Sequence, residues 1–315
     1  MKPPPFRYHD PASLDEALDL VATLDNAKLL AGGQSLMPML NLRLAFPDDV
    51  VDLNRIEDLA HISDHITDSN RTITVGAMTR QRAIERSELV GRVCPLLHEA
   101  LAQVGHRQTR NRGTIGGSLC HLDPSAELPV VAAALDATIH VSRRGGSRSM
   151  PMSEFPAFYM TPAIEPDEIV TAIAFEPWPA GHGYAFVEFA RRLGDFAVAG
   201  AAVLLDVGDD GVVRRASIAL GGVGEGPNRC PEAEAALVGT AASDDCFDEA
   251  ARICGEIEAM EDVHASSAYR RHLARVLTRR ALDRACERAQ SRTISGDGVT
   301  TDTDNPAAAA ARRSE

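Results

Sequence analysis

Two glycine pairs are the residues in this chain best suited to handling an anion. Leu30-Ala31-Gly32-Gly33-Gln34-Ser35 and Thr114-Ile115-Gly116-Gly117-Ser118 each set adjacent glycines within two positions of a serine. Adjacent glycines give a core nothing to pack and cost backbone entropy, so they mark places where the main chain must approach something closely. Bare N–H groups beside hydroxyls suit a negatively charged partner. Read singly, each pair is an ordinary turn. Read together, they suggest two loops closing on one diphosphate, held by backbone N–H groups and the hydroxyls of Ser35, Thr114 and Ser118 without any lysine. The second motif runs on through Leu122-Asp123-Pro124-Ser125-Ala126-Glu127-Leu128-Pro129, adding two carboxylates, and is expected to be a turn facing the bound group.

Other chemistries find less support. The G-x-G-x-x-G of a dinucleotide fold is missing: Ala31 to Ser35 lacks the spacing, and Gly222-Val223-Gly224-Glu225-Gly226 runs into Pro227 and reads as a turn after a strand. There is no G-x-x-x-x-G-K-[ST] and no G-x-S-x-G. His61 and His65 have zinc-protease spacing, but Ile62 stands where the glutamate would be needed, so solvent-facing histidines are expected. Cys120, His121 and Asp123 are better explained as part of a turn than as metal ligands. The six cysteines contain no C-x-x-C pair, which points to reduced thiols and gives no iron–sulfur or zinc ligand set.

Bulk properties narrow the partners. A length of 315 residues favours two domains, and 44% apolar residues are ample for a core. The net charge of −13 argues against nucleic acid or an anionic membrane as partner. No window is long and apolar enough to span a bilayer, and Met1 to Phe6 lacks a secretory signal, so a cytoplasmic protein is expected.

The elements that must position the loops follow from pattern. Ser13 and Glu16 form a capping box for a helix to about Asp25. Lys28 to Ala31 reads as a strand entering the first glycine pair, Ser35 to Leu44 as a short helical segment and Val50 to Leu53 as a strand. Thr72 to Ala77 alternates as a half-buried strand, Thr79 can cap a helix through about Leu89, and Pro95 to Gly105 reads as another helix. Arg107 to Gly113 is a charged approach, Pro129 to Leu135 is apolar without period, Ala137 to Val141 is a strand and Arg143 to Ser149 an exposed turn. Glu168 to Phe175 is a strand before a boundary near Trp178 to His182. Beyond it come strands at Tyr184–Arg191, Ala199–Val207 and Arg215–Leu220, then helices at Pro231–Val238, Phe247–Met260 and Ala268–Arg288. Strands followed by helices give an α+β class. Residues 289–315 lack bulk and read as a disordered tail.

At these loops the chain resembles the FAD-binding medium subunit of the molybdenum hydroxylases. This family includes the flavoprotein subunits of aerobic carbon monoxide dehydrogenase, xanthine dehydrogenase and N-heterocycle dehydrogenases. Ala31-Gly32-Gly33-Gln34-Ser35-Leu36-Met37-Pro38 is similar to its A-G-G-[HQ]-S-L-x-P signature, and Arg112-Gly113-Thr114-Ile115-Gly116-Gly117-Ser118 to its second glycine signature. The likeness continues through Leu122 to Pro129 and Arg191-Arg192-Leu193-Gly194-Asp195-Phe196-Ala197 to the helix around Ala268 to Arg271. It covers about residues 3 to 288.

The resemblance implies a two-lobed FAD-binding domain of the vanillyl-alcohol-oxidase/PCMH type over 1–177. A smaller α+β domain, a three-stranded antiparallel sheet plus helices, is implied over 180–288. The first loop would hold the FAD diphosphate and the second would approach it from the other lobe. Asp123 would contact the ribityl or isoalloxazine region, Ile169 and Val170 would pack near the flavin or adenine rings, and Phe196 would cover the flavin where relatives carry tyrosine. No residue is assigned as catalytic. Molybdopterin and [2Fe-2S] clusters would sit on a large and a small partner subunit, in a heterotrimer or a dimer of heterotrimers, with this chain as the electron exit. Two alternatives are a stand-alone FAD-dependent oxidoreductase of the same fold and a cofactor-free interaction subunit.

Overall fold

Capping chemistry and one buried carboxylate build the first lobe. The computed structural model describes residues 1–68 and 70–296. It opens with β1 (Arg7–His9), α1 (Leu14–Val21), β2 (Ala27–Leu30), α2 (Leu36–Asn41) and β3 (Asp49–Asp52). Ser13 accepts the Glu16 N–H at 3.2 Å while Glu16 accepts that of Ala12 at 2.8 Å. The helix ends at Val21 rather than near Asp25, as the chain turns into β2. The three strands form a parallel sheet in the order β1-β3-β2. Asp49 is buried at its centre, taking two hydrogen bonds from Arg7 at 2.8 and 2.6 Å and lying 2.7 Å from His9 Nε2. One side chain therefore fastens β1 to β3.

The second lobe begins with β4 (Ile62–Ile66) and β5 (Arg71–Gly76). Six helices follow: α3 (Gln81–Glu85), α4 (Glu88–Val93), α5 (Pro95–Leu101), α6 (Arg107–Arg112), α7 (Ile115–His121) and α8 (Glu127–Ala134). Then come β6 (Thr138–Arg143), β7 (Gly146–Pro151), the short ribbon β8 (Pro156–Phe158) and β9 (Thr161–Pro162), and β10 (Ile169–Phe175). The sheet is antiparallel, in the order β4-β5-β10-β6-β7.

Several expectations are corrected here. The Thr79 hydroxyl donates to the His61 carbonyl at 2.9 Å and caps no helix. Arg80 stands in the cap position of α3, and the expected single helix breaks at Ser87, which caps α4. The charged approach is helix α6, and Arg143 to Ser149 belongs largely to the β6–β7 hairpin. Thr114 to Pro129, expected as a turn, is mostly α7 and the start of α8. All eight residues of α8 are buried, which is why its sequence shows no helical period: a helix covered on every side needs no polar stripe.

The last part carries β11 (Gly183–Phe189), β12 (Ala199–Val207), β13 (Val213–Gly221), β14 (Asn228–Arg229), α9 (Pro231–Leu237), α10 (Asp244–Cys254) and α11 (Ser267–Gly296). The sheet runs β11-β12-β13-β14, so a two-residue strand joins the three expected. Helix α10 stops at Cys254 rather than Met260. Helix α11 continues past residue 288 to Gly296, so the expected tail is helical at its start. Residues 297–315 of that tail lie outside the described residues.

This sheet packs on the second lobe through a shared core: Phe186, Ala202, Leu204 and Ala219 belong to the same buried cluster as Leu97, Leu101 and Val131. The glycines after β13 do form a turn, and that turn docks. Gly222, at φ +72°, gives its N–H to the Pro124 carbonyl at 2.7 Å. Arg270 of α11, only 2% exposed, braces the same corner by donating to the carbonyls of Val198 and Gly222 and pairing with Asp262 at 2.7 Å.

Two outcomes are expected. Arg270→Leu leaves two buried carbonyls without donors at about 1–3 kcal/mol each, so denaturant unfolding should show a loss on the order of 3 kcal/mol. The Asp49 carboxyl is held down at about 2, first by its hydrogen bonds from Arg7 and His9. A depressed carboxylate contributes stability above its unfolded value and loses it as pH falls through the folded one. Acid titration should therefore cost the wild type stability between about pH 4 and 2, and Asp49→Asn should remove that part of the loss.

Candidate functional site

The two glycine loops touch. A side chain at Gly32 would lie 2.3 Å from the Arg112 carbonyl oxygen and 2.8 Å from Gly113 Cα, so the first loop rests directly on the backbone leading into the second. At Gly117 a Cβ would stand 3.3 Å from the Ala31 side chain. Only glycine permits this approach from both sides. Ala31, Gly32, Gly33, Gln34 and Ser35 from the first lobe are thus brought against Thr114, Ile115, Gly116, Gly117 and Ser118 from the second.

The loops differ in what their N–H groups do. In the second loop Ile115 donates to the Thr79 carbonyl at 3.3 Å, Gly116 to the Ala77 carbonyl at 2.9 Å and Gly117 to the Thr114 hydroxyl at 3.1 Å. Thr114 is 2% exposed and spends its oxygen as the N-cap of α7, so its hydroxyl does not open onto the cleft as the sequence suggested. Gly116 is glycine because a Cβ would sit 2.6 Å from that of Ala77. The half-buried members of this motif are Gly117, Ser118, Cys120, His121, Asp123, Ser125 and Ala126.

The first loop is the reverse case. Gly33 adopts φ +71°, and among the described residues the N–H groups of Gly33, Gln34, Ser35 and Leu36 donate to no protein acceptor. The Ser35 side chain makes no cap bond to α2. Consecutive unengaged donors around a left-handed glycine form a concave anion nest. This donor set therefore fits a diphosphate.

Asn54 and Arg80, which the sequence reading passed over, tie the loops together. Asn54 donates from Nδ2 to the Ala31 carbonyl at 2.8 Å, and its Oδ1 accepts from Arg80. The other Arg80 Nη donates to the Arg112 carbonyl at 2.5 Å. Asp52 anchors Asn54 by accepting its N–H at 2.9 Å, and Tyr8 donates to the same carboxylate at 2.6 Å. A polar residue directly after a strand was the one available signal for Asn54. Arg80 offered none.

Asp123 accepts the Ser125 N–H at 2.9 Å through Oδ1. Ile169 is fully buried with Leu18, Leu53 and Met78 and presents no surface to a ligand; Val170 is 4% exposed. Phe196 is 71% exposed on a loop whose Gly194, at φ +85°, lies against the His106 ring.

Burial disfavours the charged forms of several groups near the second loop and of Glu188. Burial pushes the Cys120 thiol up to about 12 and lowers His121. Burial also raises Glu127 to about 7 and Glu188 to about 8, the latter with added repulsion from Glu127. Oε2 of Glu188 is buried without a hydrogen-bond partner. A carboxyl raised in the fold binds protons that the unfolded chain has released, so stability falls as pH climbs from about 4.5 toward 8. Glu188→Gln should unfold at a higher temperature than the wild type at pH 8 and show a smaller drop between pH 5 and pH 8.

Comparison with known proteins agrees with this geometry. The family described as "FAD binding domain in molybdopterin dehydrogenase" matches residues 4–178, and "CO dehydrogenase flavoprotein C-terminal domain" matches residues 184–285. The 6-hydroxypseudooxynicotine dehydrogenase complex subunit alpha of Paenarthrobacter nicotinovorans is 40% identical over 92% of this chain and 97% of its own length. A carbon monoxide dehydrogenase structure from Hydrogenophaga pseudoflava, lacking the Mo-pyranopterin moiety, superposes with a TM-score of 0.88 at 36% identity, covering 91% of this chain and 99% of that one. Quinoline 2-oxidoreductase from Pseudomonas putida 86 gives 0.86 at 36% identity, over 92% and 99%. Among the described residues no helix is long and apolar enough to cross a membrane. Both parts of the chain thus belong to a known architecture: this chain is a member of the FAD-binding medium-subunit family of the molybdenum hydroxylases.

Proposed function

We propose that this chain is the electron-exit subunit of a cytoplasmic molybdenum hydroxylase, with FAD seated between the two glycine loops. The row of unengaged N–H groups from Gly33 to Leu36, on a loop packed against the backbone leading into the second glycine pair, carries this reading. The proposed division is a flavin-binding part over 1–177 and a C-terminal part over 180–288. The partners are a small iron–sulfur subunit and a large molybdopterin subunit, in a heterotrimer or a dimer of heterotrimers. The chain's six cysteines are all free thiols, spread over both parts, and offer no cluster site of their own.

Bound FAD would supply the two-electron chemistry, accepting electrons from the partner's clusters and yielding them to an external acceptor. The protein's part is to bind and orient. Donors from Gly33 to Ser35 take the diphosphate, and Gly117 and Ser118 close the opposite wall. The Asp123 oxygen not used by Ser125 is available to a ribityl hydroxyl or the ring edge. Phe196 supplies an exposed ring that could lie over the flavin. Because the cofactor would do the redox work, no acid, base or nucleophile of this chain has to act.

Gly33→Val forces a β-branched residue into a left-handed backbone and pushes its Cβ to 3.2 Å from Met37. Losing one or two charge-assisted hydrogen bonds at about 1.5–3 kcal/mol each should weaken flavin binding by roughly tenfold or more. Full flavin occupancy in a folded G33V protein contradicts the seat. Gly116→Val should instead fail to fold the second lobe, because its Cβ meets the Ala77 backbone. Purified with its neighbours, the chain should show flavin absorption together with iron and molybdenum. Flavin without either metal under those conditions contradicts the subunit role.

A further inference from the structure

Arg80 is a half-buried guanidinium at the point where the loops meet, and among the described residues it forms no ion pair with a carboxylate. Its two Nη groups donate to neutral oxygens only, the Arg112 carbonyl and Asn54 Oδ1. Those acceptors belong to the two sides of the cleft. The Arg112 oxygen is the atom on which Gly32 rests, and Asn54 holds the Ala31 carbonyl. Burial and the nearby Arg112 guanidinium both disfavour the charged form of Arg80, while Asp52, one residue link away through Asn54, favours it. A cation buried without an anion is costly. The arrangement persists although the chain as a whole carries −13 and could have supplied an acid at many positions.

We infer that Arg80 is the counter-charge for the diphosphate of the cofactor. This rests on the seat proposed above and adds to it. Backbone donors supply direction but no net charge, and a diphosphate dianion entering an acidic protein needs a cation close by. Arg80 supplies it from beneath the loops, planar and always charged, while its fork holds a carbonyl on one side and an amide on the other. The anion relieves the repulsion between Arg80 and Arg112, so cofactor and guanidinium each stabilise the other.

The test compares R80K, which keeps the charge, with R80Q, which keeps only a neutral donor, in the full chain stripped of flavin. FAD titration by fluorescence quenching is run at low and high salt, with inorganic pyrophosphate as competitor. R80K should bind FAD within about threefold of the wild type, and R80Q at least about tenfold more weakly at low salt. The gap should narrow as salt rises, because screening weakens the charge contribution. Pyrophosphate should displace FAD from the wild type and R80K at concentrations that leave R80Q unaffected. Equal FAD affinity and equal pyrophosphate competition in R80K and R80Q overturn the counter-charge. If R80Q does not fold, a tenfold or greater loss in folded R80K overturns it as well. G33V run alongside separates the two readings: undiminished FAD binding there refutes the seat itself, whereas weakened G33V with unaffected R80Q refutes only Arg80.

Discussion

Everything at the cleft depends on the contact between Gly32 and the carbonyl of Arg112. Two lobes with separate sheets meet there backbone to backbone, with no room for even a methyl group. The contact fixes the distance between the nest at Gly33–Leu36 and the Gly117–Ser118 wall. Each lobe is then braced behind it. Asn54, Asp52 and Tyr8 fasten the first loop to the parallel sheet, and Ala77 holds the second loop to the end of β5. Residues far apart in sequence reach ligand distance because glycine lets two main chains share one surface.

The two loops look alike in sequence and act differently. The second glycine pair lies in the first turn of a helix whose early N–H groups are all taken by protein oxygens, so its glycines serve packing. In the first pair Gly32 serves the contact with Arg112, while Gly33 leaves its N–H and those that follow unengaged at a left-handed residue. A clamp with one donor wall and one steric wall suits a cofactor whose diphosphate must be gripped on one side while its rings are directed toward the cleft mouth. The exposed 191–196 loop, which carries Phe196, is steadied by Gly194 on His106 and by the Arg270 corner next to it.

Much of this was legible from the residues. The capping box at Ser13, the strand entering Gly32, the alternation from Thr72 and the long strands after Gly183 all follow from local pattern, and the glycine motifs identified the cleft. What could not be read had physical causes. Helix α8 is buried on all sides and so has no period. Helix α7 begins at two glycines, which alone argue against a helix and are tolerated because Thr114 caps it and Ala77 leaves no room for a side chain. Arg80 and Asn54 act only through tertiary hydrogen bonds, and nothing in their neighbours announces partners that distant.

In the proposed seat the first loop donates to the cofactor and the second does not. Amide hydrogen exchange with and without bound FAD tests it directly. Peptides covering Gly33 to Leu36 should exchange fast in the flavin-free protein and become protected when FAD binds. Peptides covering Ile115 to Gly117 should be protected in both states, since their N–H groups already have acceptors. Protection gained at Ile115–Gly117 with none gained at Gly33–Leu36 would contradict the account.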